Sequence, residues 1–365
     1  MSNIPEQIKQ KIGCNLHNKE NHPICIIKNH IYKFFDTLDI KFDKFDSFDP
    51  VVSTYDNFDA LLIPKEHPAR TKHDTYYVDE IHVLRTHTSA HQYQLMSEGK
   101  KSFLVTGDVY RKDEIDYCHY PVFHQMEGVR LVEYESDVNP EEELKDVLSG
   151  LITYLFKTTE SEFKPDYFPF TEPSFEANVK FNNKWMEILG CGVVHTKILD
   201  NIFGEKKYKG WAFGLGLERL SMCLNKISDI RLYWTHDERF LSQFKNNQIT
   251  SFVPYPVLDN ITKDISFWIP LEQVQKKDND EFLWITINDF YEMVRNIFGD
   301  NVAEVKLADK FFHNKKQLYS HTFRITFAPN NENFDCTNPA KFNDYCNSMM
   351  VVLNKEIENL NVVLR

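Results

Sequence analysis

The seven cysteines, at positions 14, 25, 118, 191, 223, 336 and 346, include no CxxC pair and make no even framework. This excludes a structural zinc site and a disulfide-stapled scaffold, and it points to a reducing compartment in which most of these thiols are small buried residues. Basic charge is short as well: 42 Lys and Arg stand against 54 Asp and Glu, a net charge of -12. Wholesale nonspecific nucleic-acid binding needs a basic footprint and is excluded, whereas a local basic groove is not. No apolar run approaches the length of a membrane span. The first twenty residues are neither arginine-rich nor signal-like, so any organelle presequence is expected to be missing from this chain. What is present is ample for folding. The 365 residues, 42% hydrophobic and 14% aromatic, can bury at least one large core, and the length favours two domains.

Polar chemistry concentrates between Gly107 and Val129, GDVYRKDEIDYCHYPVFHQMEGV, which carries an arginine, several carboxylates, two histidines and a Gln/Glu pair. Apolar residues flank it (Phe103, Leu104 and Val105; Phe123, Met126, Val129 and Leu131), so the spacing predicts two antiparallel strands with a polar connection. Arg111 offers a planar, permanently charged fork for phosphate or carboxylate, and Gln125 and Glu127, two apart on a strand, share a face. That combination suits a zwitterion, or an anion beside an amine.

Before this stretch, Pro23 opens a helix expected to run to about Leu38, with Ile24, Ile27, Ile31, Phe34 and Phe35 recurring on one face. FDKFDSFDPVVSTYDNFDALLIPKEHPAR reads as a strand and then a loop. HVLRTHTSAHQYQLM sets Thr86, Thr88 and Ser89 beside His87 and His91 ahead of a helical pattern, either as caps or as a helix start presenting hydroxyl and N–H groups to an anion. His-x-x-x-His alone is a poor metal signal, because the HExxH glutamate is missing. After the hairpin, a helix is expected over Pro140 to Phe156. In YFPFTEPSFEANVKF, Phe168 and Phe170 face one side of an extended chain stiffened by prolines 169 and 173, as a recognition wall requires. WMEILGCGVV reads as a buried strand carrying Glu187. KGWAFGLGLERLSMCL reads as a strand, two glycines and a helix that begins with Glu218 and Arg219. It lacks the lysine and serine of a P-loop and the spacing of a dinucleotide fingerprint, so neither fold is supported.

Residues 246–260 look like a linker. From Ile261 onward the order is strand, helix, strand, strand, helix, strand, that of a ferredoxin-like split βαββαβ unit, with Asn288 and Asn338 as helix caps. This part holds 12 Lys/Arg against 15 Asp/Glu, and Lys306, Lys310, Lys315, Lys316 and Arg324 are candidates for a basic face.

The ordered set RTHTSAHQ, GDVYRKDEID with HYPVFHQMEGV, YFPFTEPS, LGCGVV and GWAFGLGLERL resembles the phenylalanyl-tRNA synthetases, specifically their single-chain organellar type, over nearly the whole chain. The resemblance implies an α+β protein: a class II catalytic module of antiparallel sheet and flanking helices over 1–245, and a ferredoxin-like anticodon-binding domain over 261–365. It implies activation of phenylalanine by ATP with Mg2+ and transfer to tRNA(Phe), by a monomer of the mitochondrial matrix with no tightly bound cofactor and no protein-bound metal. Arg111 would meet the α-phosphate and Arg219 would stack on adenine, with Phe123 covering the other face of the base. His87, Ser89, Gln125 and Glu127 would hold the amino acid's polar end, Phe168 and Phe170 would meet the phenyl ring, and Ala212, Phe213 and Gly214 would floor its pocket beside Glu187. The same motifs bring Ala90, His91, Gln92, Cys118, His119, Tyr120 and Met126 into the expected phenylalanine and ATP set. The segment LVEYESDVNPEEE is shorter than in several relatives, and no editing subunit is visible. A class II-like amide-forming ligase acting without tRNA and an inactive RNA-binding paralogue share the module and are the rival readings.

Overall fold

The computed structural model describes residues 2–181, 183–255, 257–276, 282–329 and 338–365. Its first part contains, in chain order, helix α1 (Pro23–Phe35), strands β1 (Asp43–Phe45), β2 (Val51–Ser53) and β3 (His82–Leu84), helix α2 (Gln92–Ser97), and strands β4 (Ser102–Tyr110) and β5 (Val122–Glu133). Helix α3 (Pro140–Phe156), strands β6 (Ser161–Asp166), β7 (Thr171–Phe181) and β8 (Lys184–Val194), helix α4 (Thr196–Phe203), strand β9 (Tyr208–Gly216) and helix α5 (Leu217–Asn225) follow.

Local chemistry explains most boundaries. The His22 ring accepts from the Ile24 N–H and Pro23 supplies the fixed φ of a first helical residue, so α1 starts where expected. It stops at Phe35, short of Leu38. Asn139 caps α3 through the Glu141 N–H, and Glu141, Glu142 and Glu143 meet the positive end of its dipole. Such a cap contributes about 1 kcal/mol. The segment expected as strand then loop after residue 42 instead holds β1, β2 and a one-turn helix, Thr54–Asn57, started by the Ser53 side chain.

Seven strands form one sheet in the order β1-β4-β5-β9-β8-β7-β6, antiparallel except for the β1–β4 pair. On one face Leu104, Met126, Phe213 and Leu215 pack with Ile27 and Ile31 of α1, Leu148 of α3 and Leu220 of α5 in the main core. On the other, Val105, Val129 and Ala212 pack with Leu95 and Met96 of α2 and Ile198 and Leu199 of α4. Each such buried side chain contributes roughly 1.5–3 kcal/mol. α2 and α4 cover only part of this second face, and the remainder forms the floor of a cavity.

The second core lies beyond residue 260. Strands β10 (Ile261–Ile269), β11 (Val274–Lys276), β12 (Phe282–Trp284), β13 (Val302–His313), β14 (Leu318–Phe327) and β15 (Val363–Leu364) occur with helices α6 (Ile287–Phe298) and α7 (Pro339–Glu356). The sheet runs β13-β14-β10-β15, which is the ferredoxin-like order, with Phe267, Phe323, Ile325, Phe290 and Phe342 in its core. Asn338 caps α7 as expected, its side chain accepting from Ala340 and Lys341. Asn288 does not cap α6: the N-cap is Thr286, and the Asn288 amide reaches Asp74 at 2.9 Å. The β11–β12 hairpin is an addition that the sequence pattern did not reveal. Of the connector, Phe252 is buried against the first core and its N–H donates to the Asn225 carbonyl.

This second unit grips the connection between β4 and β5. Lys112 pairs with Asp289 at 3.0 Å, Arg295 donates to the Asp113 and Glu114 carbonyls, the Val305 N–H donates to Ile115 O, and Tyr120 donates to Asp300 at 2.7 Å. Among the described residues no helix is long and apolar enough to cross a membrane.

Candidate active site

The hairpin β4–β5 keeps its strands in strict antiparallel register from Ser102 opposite Arg130 to Tyr110 opposite Val122. Arg111 is the first residue beyond that ladder, and its N–H closes the connection onto the Pro121 carbonyl. Its Nε donates to the Thr86 carbonyl at 2.7 Å, and its guanidinium lies 5.3 Å from the centre of the Phe123 ring. These two contacts use one nitrogen and one face of the group. The outer nitrogens are left to the cavity, which Arg111 lines. Burial lowers the Arg111 pKa and Asp113 opposes the shift, yet an arginine stays charged at any ordinary pH.

Glu127 lies two residues beyond Gln125 on the same face of β5. Gln92 donates to Glu127 Oε1 at 2.6 Å, while Oε2 has no hydrogen-bond partner among the described residues. Burial pushes this carboxyl up to about 7, with the neighbouring Ser89 and Gln92 side chains opposing the shift. Gln125 Oε1 accepts from the Thr88 N–H at 3.2 Å, which turns its amide toward the same cavity. His87 lies beside Phe170, with ring centres 6.4 Å apart, and neither of its nitrogens has a partner among the described residues. Burial first, and Arg111 next, drive its pKa down to about 3, so the ring is neutral.

The floor comes from the middle of the sheet, where Gly214 of β9 faces Glu127 on one side and Gly190 of β8 on the other. A Cβ on Gly190 would stand 2.7 Å from the Phe168 ring, and one on Gly214 would stand 3.0 Å from Gln125 Nε2. Glycine therefore lets the aromatic wall and the amide approach the sheet. The Phe168 and Phe170 rings stack 5.9 Å apart at 16° in the loop between β6 and β7, held by the Ser174 hydroxyl, which accepts from the Phe168 N–H, and by the Phe170 carbonyl, which accepts from His195. Ala212, two residues before Gly214, completes the apolar end of a cavity of about 750 Å³.

At the opposite end Arg219, in the first turn of α5, reaches Glu187 of β8, with 3.3 Å to its carbonyl and 3.6 Å to its carboxylate. His119 pairs with Asp116 at 2.8 Å, and that bond holds the imidazole pKa above its ordinary value. Glu114, Asp116 and His119 place ligand atoms within 4.8 Å of one another. The His119 pairing and the two backbone N–H groups on Asp116 account for the cluster without a metal.

His87, Ser89, Gln92, Arg111, Cys118, His119, Tyr120, Phe123, Gln125, Glu127, Phe168, Phe170, Glu187, Ala212, Phe213, Gly214 and Arg219 all line this cavity. Three expected residues do not. Met126 points to the main core because strand residues alternate, and Ala90 packs in a small cluster with Phe58 and Leu61. His91 turns to Arg85, accepting from Nη1 at 2.9 Å, and stacks on Phe48. Residues not expected at the site also face the cavity: Ile63, Ala69 and Asp74 from the proline- and histidine-rich loop, Asn288 from α6, and Glu218. For Glu218 there was a signal, its place one residue before Arg219. The others come together only through the tertiary fold.

An antiparallel sheet that sets a hairpin arginine and a helix-start arginine over one cavity defines a class II aminoacyl-tRNA synthetase module. The family described as tRNA synthetases class II core domain (F) matches residues 8–244. The chain is 48% identical over 336 residues to the chloroplastic/mitochondrial phenylalanine-tRNA ligase of Arabidopsis thaliana, covering 89% of this chain and 75% of that protein. It is 42% identical to the mitochondrial phenylalanine-tRNA ligase of Mus musculus, covering 89% and 79%, and 40% identical to that of Dictyostelium discoideum, covering 100% and 89%. The chain belongs to the class II tRNA synthetases and, within them, to the single-chain phenylalanine-tRNA ligases of organelles.

Proposed function

We propose that this cavity carries both steps of the phenylalanine-tRNA ligase reaction: ATP-dependent formation of phenylalanyl-adenylate, then transfer of the acyl group to a ribose hydroxyl at the tRNA 3′ end. One observation carries the reading: a guanidinium whose outer nitrogens, and a buried carboxylate one of whose oxygens, have no partner among the described residues share a cavity that ends in stacked phenylalanines. The first fits a phosphate, the second an ammonium, the third a phenyl ring. When the substrate carboxylate attacks the α-phosphate, charge grows on the phosphoryl oxygens, and Arg111 is already oriented to receive it. Mg2+ enters with ATP as part of the substrate, and carboxylates on the wall, Glu187 among them, present hard oxygen ligands to it. Arg219 and Phe123 are assigned to the two faces of the adenine. Pyrophosphate exchange across a panel of amino acids, followed by charging of tRNA(Phe), tests the reading. Exchange without charging of any RNA would favour an amide-forming ligase, and no exchange would favour an inactive paralogue.

The ring pocket makes its own prediction. Phenylalanine and tyrosine differ by one hydroxyl, which an apolar pocket rejects through lack of space and through burial without a partner, the latter costing roughly 1–3 kcal/mol. Ala212→Gly relieves only the space. This variant is expected to accept para-chlorophenylalanine readily and tyrosine only partly, with modest loss toward phenylalanine. Exchange kinetics with the three amino acids check it, and an unchanged preference would remove Ala212 from the pocket floor.

We assign residues 261–365 to the tRNA anticodon, with 246–260 as linker. What supports this is the face of the second sheet turned away from its helices, where Lys316 at 4.5 Å and Arg365 at 5.5 Å cover the buried Trp268 ring, with Phe311 and His313 edge-on to it. Lys306 and Arg324 stand opposite each other in register on this face, whereas Lys310 is opposite His321 and falls on the other. Cations gathered on one sheet face are suited to neutralise the phosphates of an RNA strand. Lys306→Glu, at an exposed position on this face, is expected to raise the KM for tRNA several-fold and leave pyrophosphate exchange unchanged. Charging should also weaken with added salt although the protein is acidic overall. A salt-independent KM for tRNA would require another mode of contact. The mitochondrial matrix as the place of action and a monomeric state complete the proposal; the organelle is supported by the relatives' names.

A further inference from the structure

The ladder between β5 and β9 ends at Gln125 opposite Gly216, because β9 gives way there to α5. The next amide of β5, that of His124, has no strand carbonyl on that side and donates instead to Glu218 Oε2 at 2.8 Å. The His124 ring bonds the same carboxylate, Nδ1 to Oε1 at 2.6 Å, and both side chains are buried. The carboxylate thus extends the ladder from the first turn of the helix and fastens α5 to β5 by two charge-assisted hydrogen bonds. The chain neighbours of this pair are Phe123, one residue before His124, and Arg219, one residue after Glu218; both line the cavity.

We propose that the Glu218–His124 pair sets the spacing of the nucleobase clamp and so makes Glu218 and His124 positioning residues for ATP. The proposal rests on the assignment of Phe123 and Arg219 to the two faces of adenine. Arg219 is half-exposed and, among the described residues, held at its tip only by the weak contacts to Glu187, so the placement of its backbone decides where its plane lies. Phe123 is fixed from the other side. The His124 ring stacks on Trp234 at 6.0 Å, and Trp234 on Tyr120 at 5.7 Å, so β5 has little freedom to follow a displaced helix. Removing the carboxylate strands a buried N–H and a ring nitrogen and frees the start of α5 to shift.

The test is phenylalanine-dependent pyrophosphate exchange by the full chain, with melting temperatures measured in parallel. Glu218→Ala and Glu218→Asp are expected to raise the KM for ATP about tenfold or more while the KM for phenylalanine stays within about threefold. Glu218→Gln keeps an oxygen for the His124 N–H and, with the imidazole proton moved to Nε2, an N–H for Nδ1; it should restore most of the ATP affinity. Fluorescence of 2-aminopurine riboside triphosphate, quenched when its base stacks, should lose that quenching in the Asp variant and regain it in the Gln variant. If Glu218→Ala does not fold, Glu218→Asp decides. A parallel rise in both KM values with a lower melting temperature would mean a merely structural pair and would overturn the proposal. So would an unchanged KM for ATP in Glu218→Asp when Arg219→Ala raises it. If Arg219→Ala and Phe123→Ala also leave the KM for ATP unchanged, the clamp assignment itself fails.

Discussion

Arg111→Ala is expected to lower phenylalanine-dependent pyrophosphate exchange by about two to three orders of magnitude, the loss typical of removing one donor aimed at developing charge. The structure explains why the effect should be that large. Nε is committed to the Thr86 carbonyl and one face of the group to Phe123, so the outer nitrogens face the cavity before any substrate arrives, and no reorganisation is needed at the moment of reaction. The same geometry says that Arg111→Lys also fails substantially. An ammonium on a flexible stem cannot hold the Thr86 carbonyl and present two further donors in a plane. The fold should survive both changes, because the side chain lies at the end of a hairpin whose strands are paired over their whole length. Near-normal exchange in Arg111→Ala, with an unchanged melting temperature, would remove Arg111 from the reaction centre.

What the sequence made legible was local. The span of α3 from Pro140 to Phe156, the Asn338–Pro339 start of α7, and the strand that turns through glycine into α5 each carry their cause within a few residues. Alternation along β5 likewise put Gln125 and Glu127 on one face, and it argued against Met126 sharing it, though the motif as a whole drew Met126 into the expected set. Pairings distant in sequence left no such trace. That β9 lies between β5 and β8, so that Gly214 meets Glu127 and Gly190 at once, follows from the sheet order and from nothing in the GWAFGLG stretch itself. His91 entered the expected phenylalanine and ATP set through RTHTSAHQ, but Arg85, itself held by Asp108 on β4, claims it. Asn288 has the form of a helix cap, and the competing attraction, Asp74 in the first unit, is more than two hundred residues away. Propensity speaks for the segment and tertiary contact for the site, and where they disagreed here the tertiary contact decided.

Glu127→Gln is expected to raise the KM for phenylalanine by about two to three orders of magnitude, since breaking a buried ion pair costs roughly 3–5 kcal/mol. The amide keeps the shape and can still accept from Gln92 Nε2, so the loss measures charge and not packing. A pH dependence follows from the same carboxyl. Burial raises its pKa in the free protein to about 7, so below that pH the neutral acid dominates and cannot pair with the substrate ammonium. As the pH falls from 7 to 6 the KM for phenylalanine should rise about fivefold, and from 6 to 5 by about ninefold, because the carboxylate fraction falls from about one half to about one eleventh and then to about one hundredth. Above about 8 the carboxylate is almost fully formed and the curve should flatten. Exchange at saturating phenylalanine should depend far less on pH, because the bound ammonium holds Glu127 ionised and draws its pKa down. In Glu127→Gln the acid limb should vanish along with the affinity. Should the limb persist in that variant, another group would own the titration; His119, whose pKa is raised by Asp116 at the Arg219 end of the cavity, would then be the residue to replace next.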